Sequence, residues 1–449
     1  MFTIINSLTY GIVGIDKRHK KHSLYILYLY LTNIYNYRQE GISLNINEFS
    51  KGRELFFIME IPSRNPVQKI LMGPGPSTVD PRILRAMSEP TIGHLDPDFL
   101  KIMNECMEML RVVFNTRNQL TMPMSGTGSS GMETTFVNIL EPGDKVVIGV
   151  KGVFGMRMVD MAKRCGAQVI EVKAPWGKPL DPADVRKALS ENPGVKFFAD
   201  VHAETSTGVL QPLKELSDIC KEYDVMYLAD TVTSLGGVPV DIDDNGVDLA
   251  FSGTQKCLSC PPGLAPVTFS ERAYKVLQER KTKVQSWYLD LTMIAQYWGQ
   301  ERVYHHTAPI NMIYAFHETM RIILEEGLEN RYARHKKNHG ALVAGLEAMG
   351  LKLIVDKEYR LPPLTTVYSP EGVNEAEVRK QLMEQYRMEI GGGLGDFKGK
   401  AWRIGLMGYA STQANVILVL TALGNILEGM GQKIDKMGAL EAAQGVYRA

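Results

Sequence analysis

The sequence predicts an α/β protein: a large domain built on a mainly parallel sheet covered by helices, then a smaller C-terminal α+β domain. Short apolar runs at 145–150, 168–172, 195–201, 225–229, 248–252 and 265–269 alternate with helical patterns near 98–114, 129–140, 155–165, 182–190 and 213–223. Strands that are apolar throughout and interleaved with helices fit a sheet buried on both faces. From Tyr314 to Met349 the pattern becomes a long charged helix, broken around Gly327, and shorter mixed elements follow. A chain of 449 residues can fill two cores of this kind. The expected organisation is an N-terminal arm at 59–80, a large domain at 81–325 and a small domain at 326–449. No internal repeat or low-complexity tract interrupts it.

Residues 1–58 differ from the rest. They hold six of the 19 tyrosines, nine isoleucines, five asparagines and no proline. The basic cluster Lys17 to His22 precedes an apolar stretch, Leu24 to Leu31, but no small-residue cleavage site follows, so a signal peptide is not expected. Tyr, Ile, Asn, Lys and Leu are what AT-rich DNA encodes, and Lys51-Gly-Arg-Glu54 can be written by a purine run containing GGAGG. The expectation is that this segment is upstream sequence read as protein, with synthesis starting at Met59, or else a disordered extension.

Composition narrows the function classes. Lys+Arg and Asp+Glu are both 50, and no basic stripe is evident, so no nucleic-acid partner is expected. No apolar run approaches the ~20 residues of a membrane helix. Five scattered cysteines fit a reducing compartment. The ending Val-Tyr-Arg-Ala is not the peroxisomal Ser-Lys-Leu address. The cytoplasm is the expected location.

Two strand ends carry the chemistry. Asp248-Leu-Ala-Phe-Ser-Gly-Thr-Gln-Lys256 is an apolar strand running into a small-residue turn that presents Lys256, and Val225-Met-Tyr-Leu-Ala-Asp230 ends on Asp230. In an open parallel sheet ligands sit at the C-terminal ends of the strands. A lysine and a carboxylate there can hold pyridoxal 5′-phosphate (PLP). The lysine takes the aldehyde as an imine, and the acid keeps the ring nitrogen protonated. Singly, Asp230 reads as a helix cap and Lys256 as a surface lysine.

A phosphate site decides between these readings. Ser125-Gly-Thr-Gly-Ser-Ser-Gly-Met-Glu133 opens into a helix near Ser129, where free amides and the positive helix end suit a phosphate, with Thr127 and Ser129 hydroxyls as donors. It is neither a dinucleotide fingerprint nor a P-loop, and taken alone it reads equally as a flexible turn with a helix cap. Phe154, between glycines at a strand-to-helix turn, suits either stacking on a cofactor ring or core packing. Thr205 reads as a partner for the ring hydroxyl or as a turn hydroxyl bonding its own backbone. Arg403 offers a planar guanidinium for a substrate carboxylate, or a surface charge.

Three further motifs read as bland. Tyr304-His-His-Thr307 lacks a ligand set, so no metal is expected. Cys257 and Cys260 form a lone Cys-x-x-Cys, read as structural. Gly391-Gly-Gly-Leu-Gly395 has the wrong spacing for a nucleotide loop and reads as a mobile loop near the active site.

From Leu71 to about Leu427 the chain resembles the alanine–glyoxylate and serine–pyruvate aminotransferases, the class V branch of fold-type I PLP enzymes. The resemblance rests on Gly73-Pro-Gly-Pro-Ser77, Glu204-Thr-Ser-Thr-Gly-Val-Leu-Gln-Pro212, Ser234-Leu-Gly-Gly237, Ser252-Gly-Thr-Gln-Lys256, Pro261-Pro-Gly263, Arg280-Lys-Thr-Lys283, Tyr304-His-His-Thr307, Gly327-Leu-Glu-Asn330 and Arg403-Ile-Gly-Leu406. It implies a seven-stranded large-domain sheet, Lys256 as the imine lysine and Asp230 as partner of the ring nitrogen. It also implies Gln255, Thr205 and Phe154 as cofactor contacts, and Thr127, Gly128 and Ser129 as phosphate binders. Arg403 and Gly75 fall beside the substrate. Tyr304 and Thr307 resemble a pair that reaches the phosphate of the other subunit, which implies a homodimer with shared sites. Two positions depart from the pattern: some animal members have His at the position of Ser129 and Trp at that of Phe154.

The expected activity is ping-pong transamination from alanine or serine to glyoxylate or pyruvate. Sister activities on ureidoglycine or 2-aminoethylphosphonate are the nearest rivals. A desulfurase or lyase of the same fold would need a nucleophilic cysteine on a mobile loop, and none precedes Arg403. A non-catalytic regulator would need a DNA-binding module, and residues 1–58 show no helix-turn-helix pattern.

Overall fold

The computed structural model describes residues 64–449, together with the backbone of two short strands, Ser43–Asn45 and Ile58–Glu60, that pair antiparallel with each other. The expectations for residues 1–58 and for a start at Met59 otherwise lie outside the described residues.

Seven strands form the main sheet: β1 (Leu120–Ser125), β2 (Lys145–Val150), β3 (Gln168–Lys173), β4 (Val195–Val201), β5 (Met226–Asp230), β6 (Leu249–Phe251) and β7 (Leu264–Phe269), in spatial order β1-β7-β6-β5-β4-β2-β3. Strand β7 runs antiparallel to both neighbours, and every other pairing is parallel. The mainly parallel α/β sheet is thus as expected. The reading from apolar runs alone overlooked β1, whose interior holds Pro123. Proline donates no ladder hydrogen bond and belongs at a sheet edge, and β1 is an edge strand paired only with β7.

Helices cover the sheet: α1 (Pro97–Phe114), α2 (Gly128–Ile139), α3 (Val153–Arg164), α4 (Pro182–Glu191) and α5 (Leu213–Glu222). Their starts are written locally. Asp96 and Asp181 each cap a helix whose first residue is proline, accepting from the backbone N–H of Asp98 and Ala183 at 2.9 and 2.8 Å. Two long helices follow, α6 (Ile310–Glu326) and α7 (Leu328–Ala348), separated by Gly327 at φ 80°, a left-handed conformation that a side chain disfavours.

Apolar side chains gather in two main clusters. The larger runs from Ile83 to Ile323 and is centred on strand residues such as Phe197, Phe198 and Phe251. The second unites Met72 with Leu342, Leu346, Trp402, Ile404 and Leu420. Around it β8 (Leu364–Tyr368), β9 (Gly391–Gly392) and β10 (Ala401–Gly405) form an antiparallel sheet in order β8-β10-β9. Ile70–Leu71 pairs with Met388–Glu389 on this side, and the chain then crosses through Gly73–Ser77 to the turn that bears Lys256.

Candidate active site

Parallel strands β1, β2, β4, β5 and β6 all end on one edge of the main sheet. The turns beyond them carry Thr127 to Ser129, Phe154, Thr205, Asp230 and Lys256. Topology alone therefore gathers five candidate segments that are remote in sequence.

Lys256 is 9 % exposed, and its Nζ donates to the Pro74 carbonyl. Ser77 fixes the same turn from the arm: its Oγ donates to the Lys256 carbonyl at 2.7 Å, and its N–H donates to the Gln255 carbonyl at 2.9 Å. Gly75 adopts φ 112°, and a Cβ there would lie 2.6 Å from Lys256 Cδ, so only glycine lets the arm pass this close. Burial pushes the Lys256 ammonium down to about 8, with Arg403 adding to the shift and Asp230 opposing it. About a tenth of the amine is then unprotonated at pH 7, far more than for an ordinary lysine at 10.5, and the unprotonated form is the one that can act as a nucleophile.

Asp230 is 2 % exposed, and its Oδ1 accepts from the Val232 N–H at 2.9 Å. Burial pushes its carboxyl up to about 7; the Val232 hydrogen bond opposes this, and Glu204 and Asp200 add to it. No helix begins here, so Asp230 is not a helix cap. Among the described residues no basic side chain bonds to it. An anion in this position calls for a cationic N–H partner.

The phosphate loop follows β1. Thr127 is the N-cap of α2 but makes no side-chain capping bond. A Cβ on Gly128 would meet Gly253 Cα at 3.4 Å and Val232 Cγ2 at 3.6 Å, which places this helix end beside the turns of Asp230 and Lys256. Thr127 and Ser129 are exposed. The Gln255 Oε1 atom nearby is buried without a partner. The uncapped helix end and the free hydroxyls can donate to an anionic group, whereas the orphaned Gln255 amide oxygen calls for a hydrogen-bond donor.

Phe154 lies half-buried at the second position of α3, with the Arg157 guanidinium 4.8 Å from its ring centre. Thr205 Oγ1 is engaged with Thr233 Oγ1 at 2.7 Å. Arg403 is 7 % exposed: Nη1 donates to the Thr205 carbonyl at 3.0 Å and Nε to the Gly392 carbonyl at 2.8 Å. Its Nη2 has no partner among the described residues. Burial pushes this guanidinium down to about 10, against the pull of Glu204. Gly391 and Gly392, read from sequence as part of a mobile loop, form strand β9 against Arg403, because a flat glycine pair is what fits there.

Tyr304 and Thr307 are not brought to Lys256. They are exposed, and their hydroxyls lie 3.3 Å from each other. Between them His306 turns inward, with Nε2 2.9 Å from Ser125 Oγ and Nδ1 2.8 Å from His305 Nδ1.

Sequence reasoning missed several groups. Lys151 and Asp200 form an ion pair at 2.9 Å with both side chains wholly buried, and the Tyr227 hydroxyl donates to Asp200 at 2.6 Å. The signal was present as a lysine and an aspartate at the ends of otherwise apolar runs. Arg331, on α7, donates to the Gly236 carbonyl at 2.8 Å and the Cys257 carbonyl at 2.6 Å while pairing with Glu326 at 2.7 Å. A roomy cavity of about 890 Å³, lined by Arg117, Cys220, Asp248 and Arg272, opens at the other end of the strands and holds none of the site residues.

The aminotransferase class-V family model matches residues 73–397, which span this arrangement from the arm past Arg403's partner strand β9. The chain belongs to the class-V aminotransferases. It is a transaminase of fold type I, from a family that works with PLP. It is 40% identical over 397 residues to the (S)-ureidoglycine–glyoxylate transaminase of Bacillus subtilis, covering 84% of this chain and 95% of that protein. Against the alanine–glyoxylate aminotransferase of Mus musculus it is 41% identical over 374 residues, covering 82% and 89%. The crystal structure of alanine–glyoxylate aminotransferase from Nostoc sp. superposes with a TM-score of 0.81 at 49% identity, covering 82% of this chain and 97% of that one.

Proposed function

We propose that this transaminase moves an amino group from a small amino acid, alanine or serine, to glyoxylate or pyruvate, with PLP held by Lys256 and Asp230. The observation that carries it is the convergence of a buried amine, a buried carboxyl and a half-satisfied guanidinium on one sheet edge.

The residues fit the cofactor. Lys256 is the amine that would hold its aldehyde, and Asp230 the acid for its ring nitrogen. Thr127, Gly128 and Ser129 would take the phosphate, with Phe154, Thr205 and Gln255 as further contacts. When bound, PLP supplies an aldehyde that takes up the substrate amino group and a ring that accepts electrons from the α-carbon. Arg403 binds the substrate carboxylate through its free Nη2 edge, beside Gly75. Lys256 Nζ would take the proton from the substrate α-carbon, and its lowered pKa keeps part of it in the free-base form that can do so. Asp230 stays ionised against its cationic partner. The same residues serve both halves of the reaction, so the first keto acid leaves before the acceptor enters, which is ping-pong kinetics.

A second reading is ureidoglycine as donor, favoured by the Bacillus subtilis relative. Steady-state rates with alanine, serine and ureidoglycine against glyoxylate separate the two. Protein that stays colourless with PLP, or that gains colour equally after Lys256→Met, would sink both.

The reading includes a homodimer in which Tyr304 and Thr307 reach the partner's phosphate site. Exposed Trp287, Tyr288, Val303 and Tyr304 support it, since such apolar patches mark contact surfaces. The two main apolar clusters support a large domain at 81–325 and a small one at 326–449, with 59–80 as the arm. Among the described residues no helix is long and apolar enough to cross a membrane. The proposed location is the cytoplasm.

A further inference from the structure

We propose that Glu204 and Ser206 are positioning residues: together they cap helix α3 from a distant turn, fixing Phe154 over the candidate site and linking it to Arg403. The proposal rests on the PLP reading above for what Phe154 covers, and on geometry alone for the cap.

Helix α3 starts at Val153 after Gly152 and makes no side-chain capping bond of its own. Its first amide, Val153 N–H, donates to Ser206 Oγ at 3.0 Å. Ser206 Oγ in turn donates to Glu204 Oε1 at 2.5 Å, and the Ser206 N–H donates to the same oxygen at 3.1 Å. The chain of donors runs one way, from helix end to carboxylate. Such a cap satisfies an orphan amide and sets an acid against the positive helix end.

Glu204 is 0 % exposed, and its Oε2 has no hydrogen-bond partner among the described residues. Keeping a buried carboxylate there is costly unless charges compensate it. Two do: the end of α3 and Arg403, whose cationic form Glu204 stabilises. The segment between them touches both, because Arg403 Nη1 donates to the Thr205 carbonyl. Gly152 completes the fit, since a Cβ there would lie 2.5 Å from Glu204 Cγ. The turn has a second anchor one residue earlier, the wholly buried Lys151–Asp200 pair. Phe154, next after Val153, therefore inherits its position from residues fifty positions away.

Ser206→Ala and Glu204→Gln separate the two links. Ser206→Ala removes the acceptor of the Val153 N–H and leaves Arg403 alone. It should raise the PLP dissociation constant about fivefold and weaken the visible circular dichroism band of bound PLP, while the amino-donor KM stays within about twofold. Glu204→Gln keeps an acceptor for Ser206 but loses the charge facing Arg403. It should leave the band near wild type and raise the donor KM about tenfold. Hydrogen exchange of the PLP-free protein supplies a readout that needs no cofactor: amides 153–155 should exchange faster in Ser206→Ala, with the thermal midpoint little changed. Wild-type exchange at those amides, with an unaltered PLP band in Ser206→Ala, would overturn the cap. A wild-type protein that takes up no PLP overturns the proposed function instead, and the exchange result still decides the cap.

Discussion

The centre of the site and its rim are built differently. Lys256, Asp230 and Arg403 are 9, 2 and 7 % exposed, and each is held in place: the lysine turn by Pro74 and Ser77 of the arm, the acid by the nearby Val232 amide, and the guanidinium by the carbonyls of distant Thr205 and of Gly392 on the adjoining strand. Thr127, Ser129, Tyr304 and Thr307 lie at the surface, and the hydroxyls of Tyr304 and Thr307 face only each other. One chain thus suffices to place the groups proposed to handle protons and the substrate carboxylate. The groups assigned to the phosphate are left with unsatisfied donors, which a ligand and a second copy of the chain would engage. Preorganisation is concentrated where geometry controls chemistry and relaxed where binding supplies order.

Replacing central residues should therefore cost far more than replacing rim residues. Lys256→Met should abolish the visible PLP band and lower kcat at least about 10³-fold, since Lys256 is the proposed base for the α-proton. Lys151→Met, which strands Asp200 as a buried unpaired acid, should cost about 3–5 kcal/mol of stability in chemical denaturation. The double change with Asp200→Leu should recover most of it.

Asp230 gives a pH test on the PLP-free protein. Its folded carboxyl sits at about 7, above the ordinary value of 3.8, so the folded state holds the proton more firmly than the unfolded state. That contribution is complete below pH 4 and fades as the pH rises towards 7. Relative to Asp230→Asn, the wild type should lose on the order of 3 kcal/mol between those limits. A flat difference would place Asp230 in a wetter setting than the centre–rim contrast requires. Arg403→Gln should lower kcat/KM for the amino donor about 10- to 100-fold with PLP uptake intact, separating substrate binding from cofactor binding.

At the rim, Thr127→Ala should raise the PLP dissociation constant only severalfold. Tyr304→Ala sharpens the comparison by complementation. Mixed with inactive Lys256→Met protein it should regain activity, because a hybrid dimer holds one site with an intact lysine and an intact partner tyrosine. No recovery after confirmed subunit exchange would confine Tyr304 to its own chain.

Much of this was legible in the sequence, for a physical reason. Buried parallel strands must be apolar throughout, so polar residues at their ends, Asp230 and Lys256, stand out against the runs that deliver them. Strand β1 escaped because Pro123 breaks the apolar pattern, although an edge strand tolerates it. The helix break at Gly327 was readable from one residue. The anchoring of the centre was not. Ser77, Glu204, Ser206 and Arg331 act through contacts with residues far away in the chain, and neither periodicity nor local spacing encodes such contacts. The glycine run at 391–395 misled because glycine serves flexibility and close packing equally, and only Arg403 across the β9–β10 pair tells them apart.

Arg331 grips the carbonyls of Gly236 and Cys257, next to Lys256, yet it belongs to a helix whose later turns plug into the second apolar cluster through Leu342 and Leu346. It works as a strut. Repacking around those leucines should then be felt at the turn that bears Lys256, so substitutions chosen only to toughen that remote cluster are expected to shift the colour and turnover of the PLP-loaded protein as well.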